Sequence, residues 1–517
     1  MAEHGFRKWI IVITVITAAV IELIDTSIVN VAISDMSASL GATIEDVAWV
    51  ITAYAIANVI IIPMTSFLGG LFGRRNYYVF SILLFTAASF FCGNSHTLVE
   101  LVFFRFMQGI GGGALLSTSQ SILFDTFTIK ERPMAAAIFG LGVVIGPTIG
   151  PTLGGWIVDN FTWPWIFFVN IPIGITAAIL SWTYVKEPKD ERKVGRIDWE
   201  GIALLIVGIA SLQYVLERGE TEDWFDSRTI VMLTVTSVIA LTLFIWRELT
   251  TEHPVVELHV LKSRTLASCA FLTFIIGFGL FSSVFVIPVF AQRLLGYTAM
   301  QTGLLLLPGA IVTLFVLPFV GKIQQWGMPP QIMIFTGFLL TAVYTFMLSR
   351  ISLDAGYWTF FGPLVIRGIG LPLCFIPITT LSVSGLHPRD IPQGVALNNM
   401  MRQLGGSFGI AIVNTYLASR MAVNRVGLIS HVTQYGTATQ QRLNGLVQTF
   451  VSKGSTLATA KQQALAALDG MVTRQTMIKS YLDIFVFVTI FFVVCLPLIL
   501  TIRKGKVVPT AEMAAAH

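Results

Sequence analysis

Few side chains in this sequence can do chemistry, and they sit where charge is expensive. Glu22 and Asp25 lie three residues apart inside the first long apolar stretch, and Arg105 lies in the fourth; Arg367 and Arg402 lie in the twelfth and thirteenth. An ionised group costs about 2.5–3.5 kcal/mol at the centre of a membrane helix even on the gentlest scale, so those retained there are candidates for moving protons or binding solute. All seven histidines (residues 4, 96, 253, 259, 387, 431 and 517) fall in loops or tails. Any proton that crosses by side-chain titration must therefore ride on carboxylates. Cys92, Cys269, Cys374 and Cys495 lie in apolar segments without CxxC spacing or a neighbouring His, and read as small core hydrophobes. No metal set, no cofactor and no GxxxxGK[ST] phosphate loop is expected, which argues against ATP as the energy source.

The elements that hold these residues can be read from composition. Of 517 residues, 55% are hydrophobic and only 12% are charged, against roughly 25% charged in a soluble domain; the mean hydropathy is +0.77. The chain is an all-α polytopic membrane protein, and disorder, DNA binding and a secreted disulfide scaffold are excluded. Its net charge of +5 is no nucleic-acid signal, because the cations sit between apolar runs. With about 20 residues needed per crossing, spans fall near 9–33, 47–71, 77–95, 98–125, 132–157, 164–185, 199–216, 229–249, 265–292, 299–321, 331–349, 356–383, 391–418 and 481–502, fourteen in all. The first run is too long and too acidic for a cleaved signal and reads as a retained span. Connections on the N-terminal side carry nineteen Lys/Arg and the short opposite ones only Arg218, Arg228, Arg293 and Arg350, which puts both termini in the cytoplasm.

Depth then sorts the charges. Asp25 lies about 12 Å below the outer face and Arg105 lies at about the same depth on span four, at 1.5 Å per residue. A carboxylate and a guanidinium at one level can pair if their helices face each other. Glu22 is one turn deeper on nearly the same face. Such an acid can alternate between proton-bound and proton-free as its access to water changes, since burial favours the neutral form and a nearby Arg the charged one; a static pair tying the two spans together is the plainer alternative. Arg105-Phe-Met-Gln108-Gly109-Ile-Gly111 is echoed by Ile366-Arg367-Gly368-Ile369-Gly370 in span twelve. The echo divides the chain into a six-helix bundle (1–185), two inserted spans with their linkers (186–264) and a second bundle (265–517) that includes a long outer loop (419–480). Repeated halves around a midplane site are the pattern of secondary transporters.

Three further features bear on binding and motion. Span five reads Gly146-Pro-Thr-Ile-Gly150-Pro151-Thr-Leu-Gly154-Gly155, small enough for close helix approach and bent by proline. Span nine sets Phe274, Phe278, Phe281 and Phe285 in one stripe; it is either packing or lipid contact, or a wall for flat lipophilic guests held by area. Asn30, Gln108, Asn398, Asn399, Arg402 and Gln403 are polar positions able to orient such a guest. In the outer loop, Leu443, Leu446, Val447, Phe450 and Val451, then Leu465, Leu468, Met471 and Val472, recur at helical spacing around a Gly454-Ser455 break. That spacing predicts an amphipathic helical hairpin, covered by itself, by the bilayer surface or by another protein.

Several stretches carry a family likeness that covers essentially the whole chain. Leu23-Ile-Asp25-Thr-Ser-Ile-Val-Asn30-Val-Ala resembles the first-span motif of the fourteen-span drug/proton antiporters of the major facilitator superfamily. Arg105-x-x-Gln108-Gly109-x-Gly111 resembles the fourth-span motif, and Gly146-x-x-x-Gly150-Pro151-x-x-Gly154-Gly155 the antiporter motif of span five; Trp165-Ile-Phe-Phe-Val-Asn170-Ile-Pro172 is similar to the family's stretch just beyond that span. Arg218-Gly219, Asp223-Trp224-Phe225, Leu261-Lys262-Ser263-Arg264 and Arg402 are similar to a multidrug-export branch. The resemblance implies proton-driven export with rocking halves, Asp25 as proton site, Arg105 as its coupling partner and Gly150-Pro151 as part of a hinge. It also implies a periplasmic adaptor protein and an outer-membrane channel as partners, which favours docking at the outer loop. Three positions depart from the pattern: Gly70 stands where the loop motif has an acid, Ser34 where the first-span motif closes on proline, and span ten has no acid. The expected function is export of lipophilic drugs or toxic small molecules across the inner membrane in exchange for protons, and the rival is a permease for one metabolite such as a siderophore or fatty acid. No enzyme is expected, since no span holds a histidine for a catalytic set.

Overall fold

The computed structural model describes residues 5–187, 197–353 and 355–501. Its membrane-scale helices are, in chain order, α1 (Phe6–Leu40), α2 (Trp49–Phe72), α3 (Arg74–Gly93), α4 (Leu98–Thr126), α5 (Arg132–Asn160), α6 (Asn170–Tyr184), α7 (Trp199–Arg218), α8 (Arg228–Thr250), α9 (Arg264–Leu295), α10 (Ala299–Gln325), α11 (Pro330–Leu348), α12 (Tyr357–Ser384), α13 (Ile391–Ile429) and α14 (Leu457–Cys495). No strand forms among the described residues. Thirteen of these stretches are long and apolar enough to cross a membrane. The fourteenth is α13, whose 39 residues exceed what a crossing needs; Asn398, Asn399, Arg402 and Gln403 dilute its hydropathy.

Local sequence explains where the helices stop. Thr97 and Glu100 form a reciprocal capping box at the start of α4, which satisfies two otherwise orphaned backbone donors. Gly41 ends α1 in the left-handed region at φ 63°, a conformation glycine adopts without a Cβ penalty. Two helices run further than the hydropathy spans imply. α13 continues to Ile429, and the second arm of the outer hairpin is fused to the last span as one helix from Leu457 to Cys495. No Pro or Gly falls between Met471 and Cys495 to break it. The first arm is a separate helix, Thr437–Ser452, laid against the outer part of α14.

Two six-helix bundles and an inserted pair result. α1–α6 pack on one another, as do α9–α14; the bundles meet where α5 lies along α10 and α12, and where α13 crosses α2 and α4. α7 and α8 pair together, and α7 leans on both α2 and α13. At the cytoplasmic end Val15, Phe124, Phe127 and Ala136 of the first bundle share one apolar cluster with Leu317, Val320, Val383 and Ile391 of the second. The outer-end cluster of Ile28, Met36, Leu101 and Trp163 draws on the first bundle alone, among the described residues, and Asn30 there is exposed. The molecule is thus sealed toward the cytoplasm. Residues 188–196 and those beyond 501, which supply part of the cytoplasmic charge, and the Phe285 side chain lie outside the described residues.

Candidate proton-coupling site and interbundle cleft

Glu22 and Asp25 lie one turn apart on α1 but differ in surroundings. Asp25 is fully buried against α4, and Arg105 donates from Nη1 to its Oδ2 at 2.6 Å. Oδ1 accepts from Gln108 Nε2 at 2.9 Å and from Asn170 Nδ2 at 2.8 Å. Arg105 is fixed from its other side: Nη1 also reaches Gln108 Oε1 at 2.7 Å, Nε donates to the Val50 carbonyl at 3.1 Å, and the guanidinium lies 4.2 Å from the Tyr54 ring centre. Ser89 accepts from Gln108 at 2.7 Å and closes the network against α3. A buried pair is tolerable only when its remaining hydrogen-bonding capacity is met, and here side chains and backbone from α2, α3, α4 and α6 meet it.

Glu22 faces the other way, toward α2 and the bundle interface. Its Oε1 accepts from Tyr54 at 3.2 Å and Asn58 at 3.0 Å. Its Oε2 is buried without a partner. Across the interface stands Arg402, 5% exposed, with which Glu22 interacts electrostatically. Arg402 makes no ion pair among the described residues, and its guanidinium lies 5.9 Å from the Phe375 ring centre. It lines a narrow cleft with Asn398, Asn399, Gln120, Thr273 and Phe375. Asn399 reaches across the interface to Gln120 at 2.9 Å and to Ser117 at 3.3 Å, so α13 and α4 are stitched at its floor. The cleft has a volume of about 10 Å³, room for about one water.

The other positions singled out from the sequence divide clearly. Gln108 belongs to the ion-pair network, fully buried, and not to a cavity wall. Phe278 is buried against Phe491, with ring centres 4.3 Å apart, and Phe274 packs on Phe408 at 5.7 Å. Phe281 lies over Gly406. The described part of the stripe therefore holds α9 to α13 and α14. Asn30 is exposed near the outer end, and its side chain donates to the Thr26 carbonyl at 3.4 Å; Gln403 is half-buried beside Arg402. Gly146 and Gly154 face α1 so closely that a Cβ would come within 2.5 Å of Leu23 and 2.7 Å of Ile28, and one at Gly150 would overlap the Ser27 hydroxyl. Pro151 comes directly after that contact, and Gly155 is buried next to it. Two acids not singled out above, Asp125 and Asp483 at span ends, are paired with Arg74 and Arg420. Tyr54, Asn58, Ser89 and Asn170 complete the site; only Asn170 carried a signal beforehand, as part of a motif.

Paired helix bundles that meet around a polar cleft, one of them enclosing a saturated acid–base pair, define a transporter: a multi-pass protein of the inner membrane. The chain belongs to the Major Facilitator Superfamily, whose family profile matches residues 15–410. It is 34% identical to the multidrug export protein EmrB of Escherichia coli (strain K12), over 93% of this chain and 93% of that protein. It is 32% identical to the fatty acid resistance protein FarB of Neisseria gonorrhoeae, again over 93% of each. Among solved structures it resembles the human organic anion transporter MFSD10 (TETRAN), with a TM-score of 0.56 at 12% identity, covering 94% of this chain and 99% of that one; the last likeness concerns the fold alone.

Proposed function

We propose that this protein exports lipophilic drugs or toxic small molecules in exchange for protons, as the inner-membrane pump of a tripartite system. The observation that carries the reading is the Asp25–Arg105 pair, buried at mid-bundle with three side-chain donors on the carboxylate. When Asp25 takes a proton from the outer side, Arg105 keeps the Gln108 and Val50 oxygens as acceptors. The guanidinium keeps two hydrogen bonds but loses its counter-charge, so neutralisation destabilises this arrangement. What changes is the tie between α1 and α4. α1 is also the helix on which the glycine face of α5 rests, and α5 bears on α10 and α12 of the second bundle. Proton binding thus acts on the element that meets the other half. The membrane potential supplies about 2.3 kcal/mol per proton per 100 mV.

Kinship with a multidrug export protein supports drugs as the cargo. A partner outside the membrane is supported by the outer ends of α13 and α14, where Val426 is 71% and Leu457 60% exposed; apolar side chains on an aqueous face suit a docked adaptor protein beneath an outer-membrane channel. In inverted vesicles, Asp25→Asn is expected to abolish pH-driven uptake of a lipophilic dye at unchanged protein level. Uptake that survives the substitution removes Asp25 from the coupling.

A further inference from the structure

We propose that residues 251–263, the linker from α8 to α9, form a strap that holds the inner ends of α2 and α13 together through the cycle. The cytoplasmic mouth then opens on the α5–α10 side alone. This deepens the export reading above and rests on it. Connections between bundle helices usually run to about 2–8 residues and lie on the surface; this one is longer and goes inside. Pro254 bars α8 from continuing and favours an extended residue before it. The next two side chains, Val255 and Val256, are 2% and 1% exposed. They enter one apolar cluster with Met64 and Phe67 of α2, Leu205 of α7, Phe244 of α8 and Leu397 of α13. The first bundle, the second and the inserted pair therefore share a single core at this seam.

A buried stretch of loop is stable only if its backbone polar groups find partners. Glu248, fully buried near the end of α8, accepts from the Val256 N–H at 3.1 Å, and the Val256 carbonyl accepts from the Leu258 N–H at 2.8 Å. The carboxylate is the peg of the strap. Beside it Arg247 Nε donates to both oxygens of Asp198, at 2.9 and 2.8 Å, and Asp198 accepts from the Gly201 N–H at 3.0 Å. The inner ends of α7 and α8 are thereby locked together, and the strap starts from a fixed point. It ends at Ser263, which caps α9 by accepting from the Leu266 N–H at 3.4 Å. At the outer face the inserted pair grips α13 again, where Trp224 donates from its ring nitrogen to Thr415 at 3.0 Å. Trp224 keeps φ at 51°, a left-handed value that a bulky residue holds only when its surroundings impose it. The opposite seam is helix on helix: Gly321 meets Pro133 and Ala137 directly.

The test uses the full chain in lipid nanodiscs, with the native cysteines changed to serine and spin labels on two pairs of exposed inner-end residues. Phe72→Cys with His387→Cys spans α2 and α13, and Lys130→Cys with Gln325→Cys spans α5 and α10. Distances are read by double electron–electron resonance in this parent and in Asp25→Asn, which mimics the protonated acid. Asp25→Asn is expected to lengthen the α5–α10 distance and to leave α2–α13 at its parental value. Glu248→Ala is expected to shift the α2–α13 distribution to longer values, and Glu248→Gln, which keeps an acceptor for the Val256 N–H, to restore it. Val256→Ser leaves the peg in place and should give the same shift by weakening the apolar hold, a second reading should Glu248→Ala fail to fold. The strap is overturned by an α2–α13 distance that lengthens along with α5–α10 in Asp25→Asn. It is equally overturned by one that stays at the parental value in Glu248→Ala and Val256→Ser alike. A fixed α5–α10 distance in Asp25→Asn, together with absent proton-driven dye uptake by the parent, counts against the export reading instead, and the Glu248 comparison still decides the strap.

Discussion

Asp25 and Glu22 are one turn apart on α1, and their different surroundings assign them different work. Asp25 accepts three side-chain donors and is closed off from the interface; Glu22 accepts two on a single oxygen and faces it. Asn170 is the donor to Asp25 that comes from outside the α4 motif. Asn170→Leu would leave Oδ1 with Gln108 alone, a loss of about 1.5–3 kcal/mol for a hydrogen bond to a charged group. The expected result is a lower melting temperature in detergent together with slower proton-driven dye uptake; both unchanged would show the contact to be idle. Charges were legible in the sequence because a membrane makes them rare, and their depths could be matched because helices advance at a fixed rise. Asn170, Ser89 and Tyr54 were not legible in that way. Uncharged polar side chains cost little in a helix bundle and obey no period, so only the folded chain shows which of them converge on the carboxylate.

At the scale of helices, the glycines of α5 are a packing face before they are a hinge. Gly146, Gly150 and Gly154 recur every four residues and meet Leu23, Ser27 and Ile28 of α1 with no room for a side chain. Backbones that approach so closely carry a displacement of one helix to the other directly. Gly150→Ala places a methyl on the Ser27 hydroxyl and is expected to destabilise the protein by about 1–3 kcal/mol, with transport lost at temperatures where the chain is still folded. Ser27→Ala in the same chain should return part of both, as measured by thermal unfolding and by dye uptake. An additive double variant would mean that the two residues do not touch. Span positions were readable from hydropathy, since each needs about 20 apolar residues, but two lengths were not. α13 and α14 extend far outside because nothing in their sequences stops a helix at the membrane edge. Periodicity gave the outer hairpin's two helical arms, but Val451 and Leu465, placed on the apolar faces, are exposed and the second arm buries Ala460 and Ala464 instead; its fusion to the last span depends on the absence of a breaker, a weaker signal.

Across the whole molecule, the interface between bundles is unequal at its two ends, and that inequality is what alternating access must reverse. The cytoplasmic end is closed by aliphatic and aromatic side chains from both halves. The outer end is not closed in this way, though Thr152 and Gly303 keep α5 and α10 in touch there. The inserted pair adds a tie of its own: Gln213 on α7 donates to Ser407 on α13 at 3.0 Å, and Arg218 donates to the Glu45 carbonyl before α2 at 3.1 Å. One helix thereby holds both halves on the side away from α5 and α10, so opening toward the cytoplasm has to separate α5 from α10 at the inner end. Gly321 of α10 lies there against Pro133 and Ala137, and a Cβ on it would stand 3.3 Å from that of Ala137, close to the roughly 3.5–4.5 Å that a disulfide spans. The four native cysteines are buried and can be changed to serine first. In that background Ala137→Cys with Gly321→Cys is expected to cross-link rapidly under mild oxidant, to hold the inner end shut and to bring proton-driven uptake near background, with recovery on reduction. Ready cross-linking that leaves transport intact would mean that α5 and α10 stay together throughout the cycle, and the opening would have to be sought between α2 and α13 instead.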